Sequence, residues 1–271
     1  MGNNEMVGPF GAATVFGPQA PPRAFVRFSL ALQRTRVGQL FVDLGRRLRA
    51  GSADSHTWRG MAMFLQNEVP PGDPRRERVH ANFHANLGDI IRAGLNSGAR
   101  VVLSTVAVNL KDCPPFGSIS STNSLAETNR ALERLLAEAM AAERQNQLPV
   151  AVARYEEALR LHPLSAELRF RLAQVRLKEG ENAKARTDFE QARDDDALPF
   201  RTDSHINALI AQAASGQSKP GLVLCDTAQR LAAQTDVGIP GQEHFFEHVH
   251  LNFDGNYQLA RAWADAIRPL L

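Results

Sequence analysis

Apolar residues recur every three or four positions along two stretches of the N-terminal third of the chain, which is the spacing of an amphipathic helix. The first stretch covers residues 25–48. The second begins after Asp73-Pro74, a capping residue followed by proline at the first helical position, and ends at Gly98. Between them, residues 51–72 are rich in Gly, Ser, Asp and Pro, which predicts a loop with one or two helical turns. The glycine-rich residues 2–11 show no period and predict an opening loop.

Two short apolar runs predict strands instead of helices. Residues 101–106 read Val-Val-Leu-Ser-Thr-Val directly after a helix and a glycine, and residues 221–226 read Gly-Leu-Val-Leu-Cys-Asp. The first is a β-branched run and the second is a short apolar run that ends in an acidic residue, and both are typical of buried strands in a parallel sheet. Residues 111–121 then form the loop at the carboxyl end of the first strand, where ligands of open α/β sheets lie.

The region between the two runs repeats itself at an offset of 34 residues, which is the tetratricopeptide period. The matched pairs are Ala151 with Ala185, Tyr155 with Phe189, Ala158 with Ala192, and Asn146 with Gly180. The pattern predicts two helical hairpins, residues 132–165 and 166–199, although Ala139 stands where the first repeat usually has glycine. One hairpin cannot bury its apolar face alone, so the pair should pack against a larger unit.

The C-terminal part contains a predicted helix near residues 203–214, a loop around residues 238–241, an aromatic segment at 245–253 and a closing helix from 254 to 267. Because the two predicted strands flank the repeats, the most economical fold is an α/β layer with a helical hairpin array inserted between consecutive strands. Most residues would be helical. Two strands cannot form a sheet with both faces covered, so this layer is incomplete.

Composition narrows the class of protein. With 31 basic and 29 acidic side chains the formal charge is +2, which is too balanced for a dedicated nucleic-acid binder. An apolar share of 44% excludes disorder as the main state. No run of about 18 uncharged apolar residues exists, which excludes a membrane span. Cys113 and Cys225 are interpreted as buried thiols. The arginine-rich face of the first helix, from Arg23 to Arg49, is interpreted as solvated.

Two histidines differ from the others because they share a loop with an acidic residue. His248 and His250 lie with Glu247 beyond the second predicted strand. A glutamate three residues before a histidine on a turn can accept the Nδ1 proton and leave Nε2 free to act as a general base. A His-x-His pair could instead bind a metal, but no further ligand cluster is near in sequence, so we predict neither a metal nor a cofactor. The other six are interpreted as structural: His56, His80, His84, His162, His205 and His244.

Several of these segments resemble one known family. Residues 2–5, Gly-Asn-Asn-Glu, are similar to the third conserved block of the SGNH (GDSL-type) hydrolases, and residues 247–250, Glu-His-Val-His, to the fifth block, with glutamate in place of aspartate. Together with residues 105–116 and 248–257, this order of segments resembles bacterial SGNH-type proteins that carry inserted tetratricopeptide repeats. The resemblance therefore implies an SGNH-type, flavodoxin-like parallel layer with that insertion.

The resemblance also implies roles for three residues in the hydrolysis of an ester substrate by a serine nucleophile. His250 would be the general base, Glu247 would orient it, and the Asn4 side-chain amide would donate to the oxyanion. The plain structural alternatives are that Asn4 shapes a tight turn and that His250 caps the last helix. The acyl group and the alcohol cannot be identified from the sequence.

The family's Gly-Asp-Ser block, which carries the nucleophile, has no counterpart in this chain. Ser104, Ser118 and Ser120 lack the required glycine-acid context. The expectation is that the chain is the C-terminal portion of a longer hydrolase, inactive by itself, whose absent part would supply about three more strands. The predicted domains are residues 1–124 and 201–271 for the hydrolase-like parts and 125–200 for the repeats. Localisation stays open.

A rival hypothesis belongs to another class of function. The repeats could be a non-catalytic scaffold that binds a protein partner, although two repeats give only a short groove. A nucleotide-binding domain is disfavoured because no glycine-rich strand-to-helix fingerprint is present.

Overall fold

The computed structural model describes residues 2–49, 60–119, 126–215 and 221–271. Most of these residues are helical, and a two-stranded parallel sheet lies among the helices. The described helices are α1 (Arg23–Gln33), α2 (Arg36–Arg49), α3 (Pro74–Asn96), α4 (Ala126–Arg144), α5 (Leu148–Leu161), α6 (Ala166–Lys178), α7 (Asn182–Asp194), α8 (Ser204–Ser215), α9 (Thr227–Ala232) and α10 (Phe253–Ile267). The strands are β1 (Val101–Ser104) and β2 (Leu222–Cys225).

Some sequence predictions lie outside the described residues. These are residues 51–59 of the predicted loop with His56 among them, Ser120, and the predicted domain boundary at 124–125. The described remainder of the loop contains a 3₁₀ turn, Met61–Phe64, which agrees with the helical turn predicted there.

The N-terminal loop is anchored by apolar side chains. Met6 and Val7 are buried together with Phe64, Val79 and Phe200, so this loop shares a core with α3 and with the segment after the repeats. Such packing fixes the position of an irregular segment, because each buried side chain is held by the close-packed atoms around it.

The predicted helix over residues 25–48 is two helices, which corrects that prediction. α1 and α2 meet at a turn where the Leu32 carbonyl accepts from the Thr35 amide at 2.9 Å and the Thr35 hydroxyl accepts from the Gly38 amide at 3.0 Å. Gly38 lies so close to α1 that a Cβ there would collide with the Leu32 carbonyl. Arg23 and Arg27 of α1 form ion pairs with Asp89 of α3.

α3 begins and ends where the sequence predicts. The Asp73 side chain accepts from the Arg75 amide at 2.8 Å, Pro74 occupies the first turn, and Gly98 follows the helix with a φ of 83°. A positive φ of this size is accessible to glycine at little cost, which explains the stop. The Arg75 side chain, which binds the Asp73 carboxylate, holds the pKa of Asp73 below its usual value.

The two predicted strands form and pair with each other in parallel, with Val101 opposite Leu222 and Ser104 opposite Cys225. α3 and α8 pack on one face of this sheet and α10 on the other. β1 ends two residues earlier than predicted because the side chain of Asn207 replaces a strand partner: it accepts from the Val106 amide at 2.8 Å and donates to the Val106 carbonyl at 3.0 Å.

The strands are also less buried than the prediction implied. Most of their residues are half-buried, and Leu224 of β2 is exposed. The described residues thus contain a small α/β layer of two strands within a mainly helical protein.

The predicted tetratricopeptide hairpins are confirmed as α4–α5 and α6–α7. Their shared core holds Tyr155 and the alanines that let the helices approach each other. Asn146 and Gly180, which the 34-residue offset aligns, both have positive φ, 55° and 80°, in the turn of their hairpin. Phe189, the counterpart of Tyr155, packs between the second hairpin and residues outside the repeats. The pair therefore rests on the remainder of the protein, as a short array must.

A buried ion pair joins the end of the repeats to the rest of the chain. The Asp196 carboxylate accepts from the amides of Phe116, Gly117 and Leu198, each at 2.9 Å, and lies 3.5 Å from the Arg201 guanidinium. Burial raises the pKa of Asp196 and lowers that of Arg201. A buried charge of this kind is tolerated only when it is paired and hydrogen-bonded.

Candidate functional site

The loop that contains Glu247, His248 and His250 is a closed turn in front of α10. Phe245 and Leu251 form an antiparallel bridge across it, and the Phe246 amide donates to the His250 carbonyl at 2.9 Å. Residues 245–251 therefore have a defined backbone although they lie outside regular helices and strands.

Two asparagines hold this loop in place. Asn252 accepts from the Gly255 amide at 2.9 Å and so caps α10. Asn109 is fully buried in the segment after β1. Its backbone amide donates to the His248 carbonyl and its side-chain Nδ2 to the Glu247 carbonyl, both at 3.0 Å. Hence Asn252, not His250, is the residue that caps the last helix, and the alternative role considered for His250 is not observed.

The Glu247 carboxylate lies between the two histidines. Its Oε1 accepts from the His250 backbone amide at 2.8 Å and contacts the His250 Nδ1, while its Oε2 contacts the His248 Nδ1. When a carboxylate binds Nδ1 of an imidazole, it favours the tautomer whose Nε2 is a proton acceptor. The His250 side chain is 77% exposed, so solvent or a ligand can reach its ring.

His248 has the opposite environment. Its side chain is 15% exposed and packs edge-on to Phe116 and Phe200, with ring centroids 5.2 and 6.2 Å away. Burial, followed by the nearby His250 and Arg201, lowers the pKa of His248 to about 4. The ring is therefore neutral at physiological pH. A neutral ring can donate a hydrogen bond from Nδ1 to the Glu247 carboxylate, but it attracts that carboxylate less strongly than a protonated ring would, which leaves the carboxylate available to His250.

Asn4 lies in a tight turn with a φ of 65°, and its side chain is exposed. Its carbonyl accepts from the Gly8 amide at 2.6 Å. The neighbouring Asn3 makes the long-range contact, because its side-chain oxygen accepts from the amide and the hydroxyl of Thr202 at 2.9 and 2.8 Å. The turn predicted as the structural role of Asn4 is thus present, while the oxyanion role stays a proposal.

The N-terminal turn and the histidine loop reach a common cavity of about 310 Å³. Asn3 lines it from one side and Val249 and Leu251 from another, whereas Asn4 and His250 are not among its lining residues. The structure thus brings the two predicted segments together. The residues that line the cavity, however, are Asn3, Val249 and Leu251, which are the sequence neighbours of the predicted Asn4 and His250.

The same cavity is lined by a hydroxyl cluster that the sequence did not predict. Ser104, the last residue of β1, accepts from the Trp263 Nε1 at 3.2 Å and lies 3.0 Å from the Thr227 hydroxyl. The sequence signal that could have identified Ser104 as a candidate site residue is its position at the carboxyl end of a parallel strand, because ligands of such sheets lie there.

A second concave surface lies on the repeats. A cavity of about 610 Å³ runs between α4 and α6, and residues of the loop before α4 close one side of it. Its lining residues are Ser118, Ile119, Asn129, Leu132, Glu133, Leu136, Met140, His162, Ser165, Glu167, Leu168 and Arg171. We call this cavity the repeat groove. Its lining contains both apolar and polar side chains.

Neither cavity holds a cluster of metal ligands. Within the described ranges, no group of three or more His, Cys, Asp or Glu side chains is arranged to bind a metal ion.

Comparisons with known proteins identify one region of the chain. Residues 136–200 match the tetratricopeptide repeat family, in agreement with the two predicted hairpins. No curated protein and no solved structure matches the chain. These comparisons give no support to an SGNH hydrolase identity.

Proposed function

We propose that the tetratricopeptide pair is a protein-binding module and that the repeat groove receives a segment of the partner. The observation that supports it is the cavity of about 610 Å³ between α4 and α6. A cavity of this size accommodates several side chains of a peptide. The family match over residues 136–200 points the same way, because tetratricopeptide repeats commonly mediate protein–protein interactions.

The lining residues indicate the chemistry of the segment. Leu132, Leu136 and Met140 present apolar surface along α4, and the Arg171–Glu167 ion pair lies on α6 at 2.7 Å. A peptide with apolar side chains facing α4 and polar groups facing α6 would fit both walls. Apolar anchors supply most of the affinity in such complexes, and polar contacts fix orientation.

A displayed library of random peptides, selected on the full chain, supplies the probe for this proposal. Binding of the selected peptide is then followed by fluorescence anisotropy. Met140→Asp, which places a charge in the groove, should weaken binding by about tenfold or more. Val150→Asp is the matched control, because Val150 is similarly exposed on α5 and does not line the groove. Equal affinities of the two variants would contradict the proposal.

A second candidate function is supported by the contact between the Glu247 carboxylate and the Nδ1 of His250. In this proposal, residues 1–124 and 201–271 are parts of an SGNH-type ester hydrolase. His250 acts as the general base, Glu247 orients it, and Asn4 donates to the oxyanion. The serine nucleophile would come from a segment outside this sequence. The contact supplies the oriented base that nucleophilic catalysis needs.

The second proposal is tested with an aryl acetate as substrate. A chain extended by the coding region upstream of Met1 should hydrolyse it and be inactivated by a serine-directed phosphonate. His250→Ala should lower kcat by about a thousandfold or more, and Glu247→Gln should lower it with little change in KM. His84→Ala on α3 is the control. Turnover that survives His250→Ala would contradict the proposed base.

A further inference from the structure

We propose that the α1–α2 hairpin is an interfacial anchor that lies on the surface of an anionic lipid bilayer. The proposal is independent of the functions proposed above, since it concerns residues 23–49 alone. No helix of the described residues is long and apolar enough to cross a membrane, so the proposed contact is with the bilayer surface.

The first observation is an apolar stripe on each helix that remains largely exposed to solvent in the described part of the protein. Along α1 it consists of Phe25, Phe28 and Leu32, and along α2 of Val37, Leu40, Phe41 and Leu44. These seven side chains are 39 to 66% exposed. Within each helix they follow three- and four-residue steps, so each set occupies one face.

The orientation of α1 is fixed by its opposite face. Arg23 and Arg27 bind Asp89 on α3, which holds that side of α1 against the body of the protein. Phe25 and Phe28 lie on the other side of the helix and therefore point away from the body. The buried Gly38 keeps α2 close against the end of α1.

The second observation is charge. Residues 23–49 contain seven arginines and one aspartate, while the rest of the chain has 24 basic and 28 acidic side chains. The positive charge of the protein is thus concentrated on the same hairpin that exposes the apolar stripes. Arg34, Arg36 and Arg47 are exposed. Their guanidinium groups can reach lipid phosphates while their alkyl parts lie along the apolar surface.

Charge and geometry together favour a membrane over another protein surface. A second copy of the chain would place two arginine-rich hairpins against each other, which like charges oppose. A bilayer surface instead accepts apolar side chains and offers phosphates around them, and it needs no matched shape. α2, with 14 residues, is about 21 Å long and suits a helix that lies in the interface plane.

Sedimentation of the full chain with large unilamellar vesicles tests the proposal. Vesicles of phosphatidylcholine alone are compared with vesicles of phosphatidylcholine mixed with phosphatidylglycerol. Partitioning should be about tenfold or more stronger for the anionic vesicles, and it should fall as ionic strength is raised to about 0.5 M. Arg34→Gln and Arg36→Gln should each weaken binding to the anionic vesicles by about fivefold.

The double variant Leu40→Glu, Phe41→Glu should bind anionic vesicles no better than neutral ones. Ile267→Glu is the control, because Ile267 is also an exposed apolar residue and lies at the end of α10, away from the hairpin. Far-UV circular dichroism establishes that each variant is folded. Three results would overturn the proposal: equal binding to both vesicle types, full binding by both single arginine variants, or dimerisation through Phe41 in light scattering without vesicle binding.

Discussion

The environment of His248 makes a quantitative prediction about stability and pH. Burial, together with the nearby His250 and Arg201 side chains, lowers its pKa to about 4 from the ordinary value of 6.5. The folded state therefore disfavours the protonated ring relative to the unfolded chain. It follows that protonation favours unfolding, and stability falls as the pH drops through 6.5 toward about 4.

The magnitude follows from the linkage between proton binding and folding. Below both pKa values this single ring removes about 3 kcal/mol from the free energy of unfolding. Between about pH 7 and about pH 5 the loss is about 2 kcal/mol. His248→Gln lacks the titrating ring, so its stability should fall by about 2 kcal/mol less than that of the unmodified protein over the same interval.

Urea unfolding followed by circular dichroism at both pH values gives the comparison. His84→Gln, at an exposed position of α3, controls for the removal of an imidazole. A nuclear magnetic resonance titration of the His248 ring reports the same pKa directly. The reasoning fails if the variant and the unmodified protein lose equal stability, or if the titration gives a pKa above 6.5. A pKa above 6.5 would mean that the Glu247 carboxylate stabilises the protonated His248 ring in the folded state.

Three further substitutions test the packing, each measured as a change in the free energy of unfolding in urea. Phe189→Ala should cost about 3 to 5 kcal/mol, because it leaves a cavity where the second hairpin packs on the rest of the protein. Gly180→Ala should cost about 1 kcal/mol because the turn needs a φ of 80°, whereas Gly17→Ala, at an open position, should be nearly neutral. Asp196→Ala should cost about 3 to 5 kcal/mol, since it leaves the Arg201 guanidinium buried without its carboxylate.

The repeats were predictable because their structure is local and periodic. A fixed offset of 34 residues aligned Tyr155 with Phe189 and Asn146 with Gly180, and each pair takes equivalent positions in its hairpin. β1 was predictable as a strand from its β-branched residues and β2 from its short apolar run. The early end of β1 was not predictable, since it depends on a side chain of α8, more than a hundred residues away in sequence.

The break between α1 and α2 corresponds to an irregular spacing of the apolar residues in the sequence, which the prediction of one helix did not take into account. Most of the other apolar steps are three or four residues, but Val37 follows Leu32 by five, and Gly38 stands next to that longer step. The role of the acidic run at residues 194–196 could not be predicted, because a sequence does not show which buried cation a carboxylate will face. Likewise the spacing of Glu247 and His250 predicted their contact, but nothing in it indicated that Asn3 would line the nearby cavity.

The segment between β1 and α4 contributes to both candidate sites. Near its start, Asn109 holds the backbone of the histidine loop, and farther along, the Gly117 amide donates to Asp196 at the end of the repeats. Its Ser118 then lines the repeat groove and accepts from the Glu167 amide at 3.2 Å. A displacement at one end of this segment is opposed by hydrogen bonds at the other, because each anchor is buried or partly buried. The groove and the histidine loop are therefore positioned by the same stretch of chain.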